Sequence, residues 1–411
     1  MVSEYDVFYI IATKGELRIN DIVDALNKPK NTYWRISKLV KVLEKKLFIQ
    51  KKHVLKIIHT EKTSKLFNLI SFCINNNMNY NLLFKENMLS FIEQAAKTEF
   101  FTIKEVKFHP QTFNNHIELL SKYGFLLIIS RKPLKCKLLK HHFLFDLLKF
   151  FGKKSVFYKT HLHSFINSIK KEIKKYKKLS KLHYNLLENL TNKDELKFIY
   201  SSLNLEGNPL TLPETQKLIL EDVLPEKQKL AHIQEVTNYK NTVNLMILNA
   251  KRKIKLSLPL ILEYHKIAMS QIPGAGKIRK QNVIIKLNPK FKTTDQYLIR
   301  SKLDMLMKKY DQFESKKRTL EELTSFAAFF HNEFQRIHPF IDGNSRISRL
   351  LMLHIIRMHN IPLLDLPIGY FDLYLDLTKR STKRNDKALK YLVEELILTN
   401  LKKINKQLKN S

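Results

Sequence analysis

The 411-residue chain has little glycine, proline or cysteine: eight, twelve and two residues respectively. So few chain-breaking residues beside abundant Leu, Ile, Lys and Glu lean it towards helix. Cys73 and Cys136 are too few and too far apart for a disulfide scaffold. No run of eighteen or more apolar residues occurs, which argues against a membrane span and a membrane partner. The N-terminus lacks the basic start and apolar stretch of a secretory signal, so the expectation is a cytoplasmic protein. Acidic residues are also scarce, 38 against 73 basic ones, for a formal charge of +35. That excess is spread through both halves of the chain and favours polyanions, although a lysine-rich surface gives the same count.

The chain is too long for a single hydrophobic core, so two or three domains are expected. Its 44% hydrophobic content excludes wholesale disorder. The first 152 residues hold one pattern twice: helix, short helix, turn, longer helix, then an apolar alternating stretch. The pattern resembles the winged helix-turn-helix fold, with one copy at 1–80 and a second at 81–152. In such folds the third helix meets DNA, which makes DNA a candidate partner through Thr32, Tyr33, Arg35 and Lys38, beside Asn31. The second copy offers Gln111, Thr112, Asn114, Asn115 and His116, with Arg131, Lys132, Lys135 and Lys137 where a wing would meet phosphates. Many such folds bind only protein, and these residues also suit an ordinary solvated face. Trp34 is expected in the core and Tyr33 on the surface. Residues 153–194 read as a lysine-rich connecting helix with one apolar stripe.

The chemistry concentrates at residues 338–349, HPFIDGNSRISR. Helical apolar periodicity precedes the segment and resumes after it, so the segment fills a tight loop and opens a helix. A helix N-terminus presents unpaired N–H groups and suits an anion. Gly343 lets backbone approach a ligand, and Asn344 adds a donor or cap. Arg346 and Arg349, three apart, share one helical face. Asp342 is an oxygen ligand of the kind Mg²⁺ takes together with phosphates. His338 is the nearby side chain whose ordinary pKa suits general-base work. Each group alone has a plain structural role; six at fixed spacing are hard to meet by chance.

At these residues the chain resembles the Fic family, whose signature reads H-P-F-x-[D/E]-G-N-x-R-x-x-R. Ser345 stands where glycine is most frequent. The resemblance covers about residues 195–400 and implies a mainly α fold: a Fic helical bundle with a small β-hairpin flap, behind the two winged helix-turn-helix domains. It implies Mg²⁺ and ATP as cofactors, and AMP transfer to a Ser, Thr or Tyr hydroxyl of a target protein, including the chain itself. His338 would take the hydroxyl proton and Asp342 would hold Mg²⁺. Gly343, Asn344 and Ser345 would cradle phosphate by backbone N–H groups, and Arg346 and Arg349 would contact the outer phosphates. Gly276, Lys277, Ile278 and Val283 would belong to a flap that docks an extended target segment. SSLNLEGN (201–208) resembles the family's inhibitory motif through Ser202, Glu206 and Gly207. Its carboxylate would pair with Arg349 in the place of the ATP γ-phosphate.

Two other readings fit the same residues. The signature fixes phosphates better than bases, so another nucleotide could be the donor, and the glutamate could instead support AMP removal. Alternatively, the chain is a DNA-binding regulator whose nucleotide site only senses. A homodimer is compatible with all of these. His265, His331 and His354 are read as packing or surface residues.

Overall fold

A computed structural model describes residues 2–131, 133–159, 163–226, 228–285, 288–362 and 365–410. The chain divides into two compact units, residues 1–159 and 160–411. It is mainly helical, and its sheets among the described residues are two short two-stranded hairpins.

In the first unit, α1 (Glu4–Lys14), α2 (Ile19–Ala25) and α3 (Tyr33–Lys45) precede a hairpin of β1 (Ile49–Lys51) and β2 (Leu55–Ile57). Ser3 and Asp6 form a reciprocal capping box that fixes the start of α1. Val7, Phe8, Ile11, Ile36, Val40 and Leu43 are buried together at helical spacing. Next come α4 (Glu61–Asn75), α5 (Tyr80–Leu83), α6 (Glu86–Ala95), α7 (Ile103–Val106) and α8 (Pro110–Lys122). A second hairpin, β3 (Leu126–Arg131) with β4 (Leu134–Leu138), is followed by α9 (His142–Phe150). An isolated bridge joins Leu17 to Leu55 in the first copy and Phe101 to Cys136 in the second. The helix–helix–helix–hairpin order read from the sequence is therefore present at both places.

Trp34 corrects the expectation of a core position. It is 75% exposed, because Ile36, Val40 and Leu43 take the buried face of α3 and turn position 34 outward. His116 is buried, and Lys137 is buried beside Glu99, so neither forms part of an open polar face. Thr32 and Tyr33 are half-buried, and Lys38 is exposed. Arg35 is exposed but ties back to the Val2 carbonyl at 3.0 Å. Lys132 and the side chain of Arg131 lie outside the described residues.

The second unit contains α10 (Ile166–Leu182), α11 (Tyr184–Asn204), α12 (Leu212–Leu220), α13 (Leu230–Lys251) and α14 (Leu258–Ala268). It continues with α15 (Ile299–Glu314), α16 (Leu320–Ile337), α17 (Asn344–Met358), α18 (Phe371–Leu377) and α19 (Asp386–Lys409). α17 lies at the centre and packs on α16, α13, α14 and α11. It is buried on nearly every side, as a helix enclosed by others must be. α10 packs against α19, with Tyr176 and Leu179 beside Ile404 and Leu408.

Among the described residues, the hairpin expected at the flap shows no strand pairing. Residues 277–279 and 282–285 have no regular structure, and residues 271–276 and 280–281 are turns and bends. The cause is Arg279, whose backbone N–H donates to the Pro339 carbonyl at 2.9 Å. Its guanidinium donates to the carbonyls of His338, Gln281 and Thr294. The segment is thereby tied to the loop after α16 and not to a partner strand.

Candidate active site

The loop between α16 and α17 is bracketed by two left-handed residues, His338 at φ +50° and Gly343 at φ +80°. The first ends α16, its N–H donating to the Phe334 carbonyl at 2.9 Å. A left-handed histidine is uncommon and is held here by its surroundings. Asn344 closes the loop from inside: its Oδ1 accepts from the Phe340 N–H at 3.0 Å and its Nδ2 donates to the Phe340 carbonyl at 2.8 Å. Its side chain is thus a loop brace. Glycine is required at 343, since an added Cβ would lie 2.8 Å from both Cγ and Sδ of Met269. With no side-chain cap at Gly343, the first-turn N–H groups of α17, including that of Ser345, are open to an anion.

His338 is half-buried, and its Nδ1 lies 3.1 Å from the Gln335 carbonyl. A carbonyl only accepts, so Nδ1 carries the proton and Nε2 is the basic nitrogen. Burial pushes its pKa down to about 4 despite that hydrogen bond, so the ring is neutral near pH 7 and able to accept a proton.

His265 holds the loop from the other side. Its ring stacks on Phe340 with centroids 3.6 Å apart. Its Nδ1 accepts from the Gly276 N–H at 2.8 Å, so Nε2 carries the proton donated to the Asp342 carbonyl at 3.0 Å. Burial lowers its pKa to about 4. Read from sequence as packing, His265 is a clasp between the flap segment and the loop. Lys277 is exposed, and Ile278 and Val283 are half-buried on that segment. His331 and His354 are buried and hydrogen-bonded to Tyr374 and Tyr264.

The Asp342 carboxylate is 61% exposed. Its Oδ1 accepts from the Gly343 N–H at 2.6 Å and from Arg346 at 3.1 Å, while Oδ2 has no partner among the described residues. Arg346 also pairs with Glu235, an acidic partner that sequence reasoning missed. Its Nε is buried with no hydrogen-bond partner among the described residues, and burial lowers its pKa to about 10.

Arg349 is enclosed by α11. Its Nε donates to Ser202 Oγ at 2.8 Å, one terminal nitrogen to the Ser202 carbonyl at 2.8 Å, and the other to Glu206 Oε1 at 3.0 Å. Its guanidinium also lies 5.8 Å from the Tyr374 ring centroid. Glu206 Oε2 accepts from Lys379 at 3.1 Å. Burial alone would raise the Glu206 carboxyl; Arg349 and Lys379 more than offset it and hold it below the usual carboxylate value. Gly207 follows at φ +91°, a conformation that suits glycine at the end of α11. Two ion-pair clusters thus lie at the first turns of α17: Glu206 with Arg349 and Lys379, and Arg346 with Asp342 and Glu235.

A cleft of about 240 Å³ is lined by Gln335, Arg336, Lys290, Lys292, Leu377 and Thr378, among others. Gln335 and Arg336 lie in the turn of α16 that ends at His338, so the cleft borders the loop between α16 and α17.

Residues 255–356 match the Fic/DOC family and form a Fic domain. Over 158 residues the chain is 27% identical to a protein adenylyltransferase Fic of Drosophila erecta, covering 38% of this chain and 30% of that protein. Over 157 residues it is 26% identical to the Drosophila persimilis counterpart, with the same coverage. The chain thus spans under a third of the length of these curated relatives. A Fic-domain signalling protein from Bacteroides thetaiotaomicron aligns over 59% of this chain and 97% of its own, at 22% identity and a TM-score of 0.54. A fragment of Fic-1 from C. elegans aligns over 92% of this chain and 93% of its own, at 14% identity and a TM-score of 0.52.

Proposed function

We propose that the Fic domain at residues 255–356 moves AMP from ATP onto a Ser, Thr or Tyr hydroxyl of a protein, and that Glu206 restrains it. The observation that carries this reading is the pairing of Glu206 with Arg349 in the same unit as a neutral, half-buried His338. His338 Nε2 takes the proton of the target hydroxyl as its oxygen attacks the α-phosphorus. The bond from that phosphorus to the bridging oxygen breaks, and pyrophosphate leaves with the bond electrons. The first-turn N–H groups of Asn344 and Ser345 face the phosphates. The Arg346 Nε, with no partner among the described residues, fits an anion that its cluster awaits. Arg349 would hold the terminal phosphate once Glu206 has left. The cleft beside Gln335 accommodates the nucleoside.

The donor set at Asp342 fits Mg²⁺: one exposed carboxylate, with one oxygen lacking a protein partner, beside a phosphate site. Bound there, the ion supplies charge neutralisation to the pyrophosphate leaving group. The segment 276–285 remains the candidate docking edge for the target, tied by Arg279 to the loop that carries the base. With Glu206 paired to Arg349, ATP phosphates are misplaced for in-line attack.

Mass spectrometry after incubation with ATP and Mg²⁺ tests the reading. An AMP adduct on a Ser, Thr or Tyr supports it, and an adduct of any other mass overturns the choice of donor.

A second reading concerns the first unit, where Trp34 is exposed on α3 with Lys38, Lys41 and Lys45, and Lys30 is exposed just before the helix. An aromatic ring among cations at helical spacing fits the phosphate backbone of duplex DNA. Binding that falls steeply with salt, and weakens in Lys38→Ala and Lys41→Ala, supports it; salt-independent binding refutes it.

A further inference from the structure

Glu206 has two cationic partners, and they are not equivalent. Arg349 is 3% exposed and, besides its pair with Glu206, makes two hydrogen bonds to Ser202. Lys379 is 23% exposed, follows the end of α18, and its hydrogen bond among the described residues goes to Glu206 alone. When the carboxylate leaves, Arg349 therefore stays partly engaged with α11, whereas the Lys379 ammonium is left facing an empty anion position. The Lys379 backbone is fixed by the buried Asn288, whose Nδ2 donates to its carbonyl at 3.0 Å. The ammonium therefore hangs from an anchored point of backbone.

We infer that Lys379 is a second binding residue for the terminal phosphate of the nucleoside triphosphate, taking over with Arg349 the anion that Glu206 imitates. The inference rests on the reading of Glu206 as a stand-in for phosphate. A carboxylate bridging a guanidinium and an ammonium through separate oxygens has the acceptor spacing of two oxygens on one phosphoryl group. Lys379 would then discriminate by phosphate number. Nucleoside triphosphates gain the contact, and a monophosphate placed at His338 is too short to reach it.

Nucleotide binding to the full chain, measured by calorimetry with Mg²⁺ in the Glu206→Gly background, tests this. Adding Lys379→Ala is expected to weaken ATP about 10-fold, the low end for a hydrogen bond to a charged group. AMP affinity should be unchanged, and Lys379→Arg should restore most of the ATP affinity. Unchanged ATP affinity, or an equal loss for AMP and ATP, overturns the inference. Failure of the underlying reading shows separately, as Glu206→Gly alone leaving ATP affinity and transfer at the wild-type level.

Discussion

Glu206 Oε1 lies 3.0 Å from a terminal nitrogen of Arg349, across 143 residues of sequence. Ser202, one turn earlier on α11, takes two more donors of the same guanidinium. The proposed restraint would thus be a three-bond seat for Arg349, of which Glu206 supplies the charge. Ser202→Ala removes one bond and keeps the ion pair, so it should release the domain only partly. Transfer should rise several-fold, below the rise in Glu206→Gly. A rate equal to either wild type or Glu206→Gly would show that the seat does not work in parts.

Arg279 holds the loop of the proposed base through carbonyls. Its Nε donates to the His338 carbonyl at 2.7 Å and its backbone N–H to that of Pro339 at 2.9 Å. Lysine keeps the charge but cannot span three carbonyls in a fixed fork. Arg279→Lys should lower kcat by about 10-fold or more with little change in KM for ATP, as expected for misplacement of one reacting group. A change confined to KM would contradict the assignment.

Three buried histidines, His265, His331 and His354, and the half-buried His338 make the second unit acid-sensitive. Burial lowers the pKa of His265, His338 and His354 to about 4 and that of His331 to about 3. In the unfolded chain each titrates near 6.5. The unfolded state therefore binds more protons below pH 6.5, and stability falls as pH drops from there through the folded values. The thermal midpoint of the chain should decline between pH 6.5 and 4 and be flatter from 7 to 8. His331→Asn should reduce the decline. If His338 is the base, as proposed, it stays unprotonated across that upper range, so the acid limb of kcat should lie nearer pH 4 than 6.5. A limb at 6.5 would contradict a desolvated base at this position.

Gly343→Ala should damage both folding and chemistry. The position has φ +80°, and the new methyl meets Met269 at 2.8 Å. The conformational cost alone is on the order of 1 kcal/mol. Urea unfolding should show at least that loss, together with weaker ATP binding. Wild-type stability in Gly343→Ala would mean that the loop tolerates another backbone path.

The sequence carried the helix–loop–helix at 338–349 plainly, because its chemistry is local: each residue's place follows from the ends of α16 and α17. Glu206 was legible for the same reason, as a short motif at the end of a helix. Lys379, Glu235 and Arg279 were not, since each acts on a residue 59 to 173 positions away and none belongs to a repeating pattern. The flap read as a hairpin from its alternation, yet one buried arginine with four carbonyl partners diverts the backbone, a tertiary override of local preference. Trp34 was misplaced because aromatic character suggests burial, whereas the phase of Ile36, Val40 and Leu43 sets which face of α3 is covered. That phase was available in the sequence and outweighs residue type.

The most direct measurement incubates wild type, Glu206→Gly and Glu206→Gly/His338→Ala with α-phosphate-labelled ATP and Mg²⁺, and counts label on protein. The account predicts weak labelling in wild type, at least a 10-fold rise in Glu206→Gly, as expected when a buried ion pair stops competing with the phosphate, and none in the double variant. Equal labelling in wild type and Glu206→Gly, or label that survives loss of His338, would contradict it.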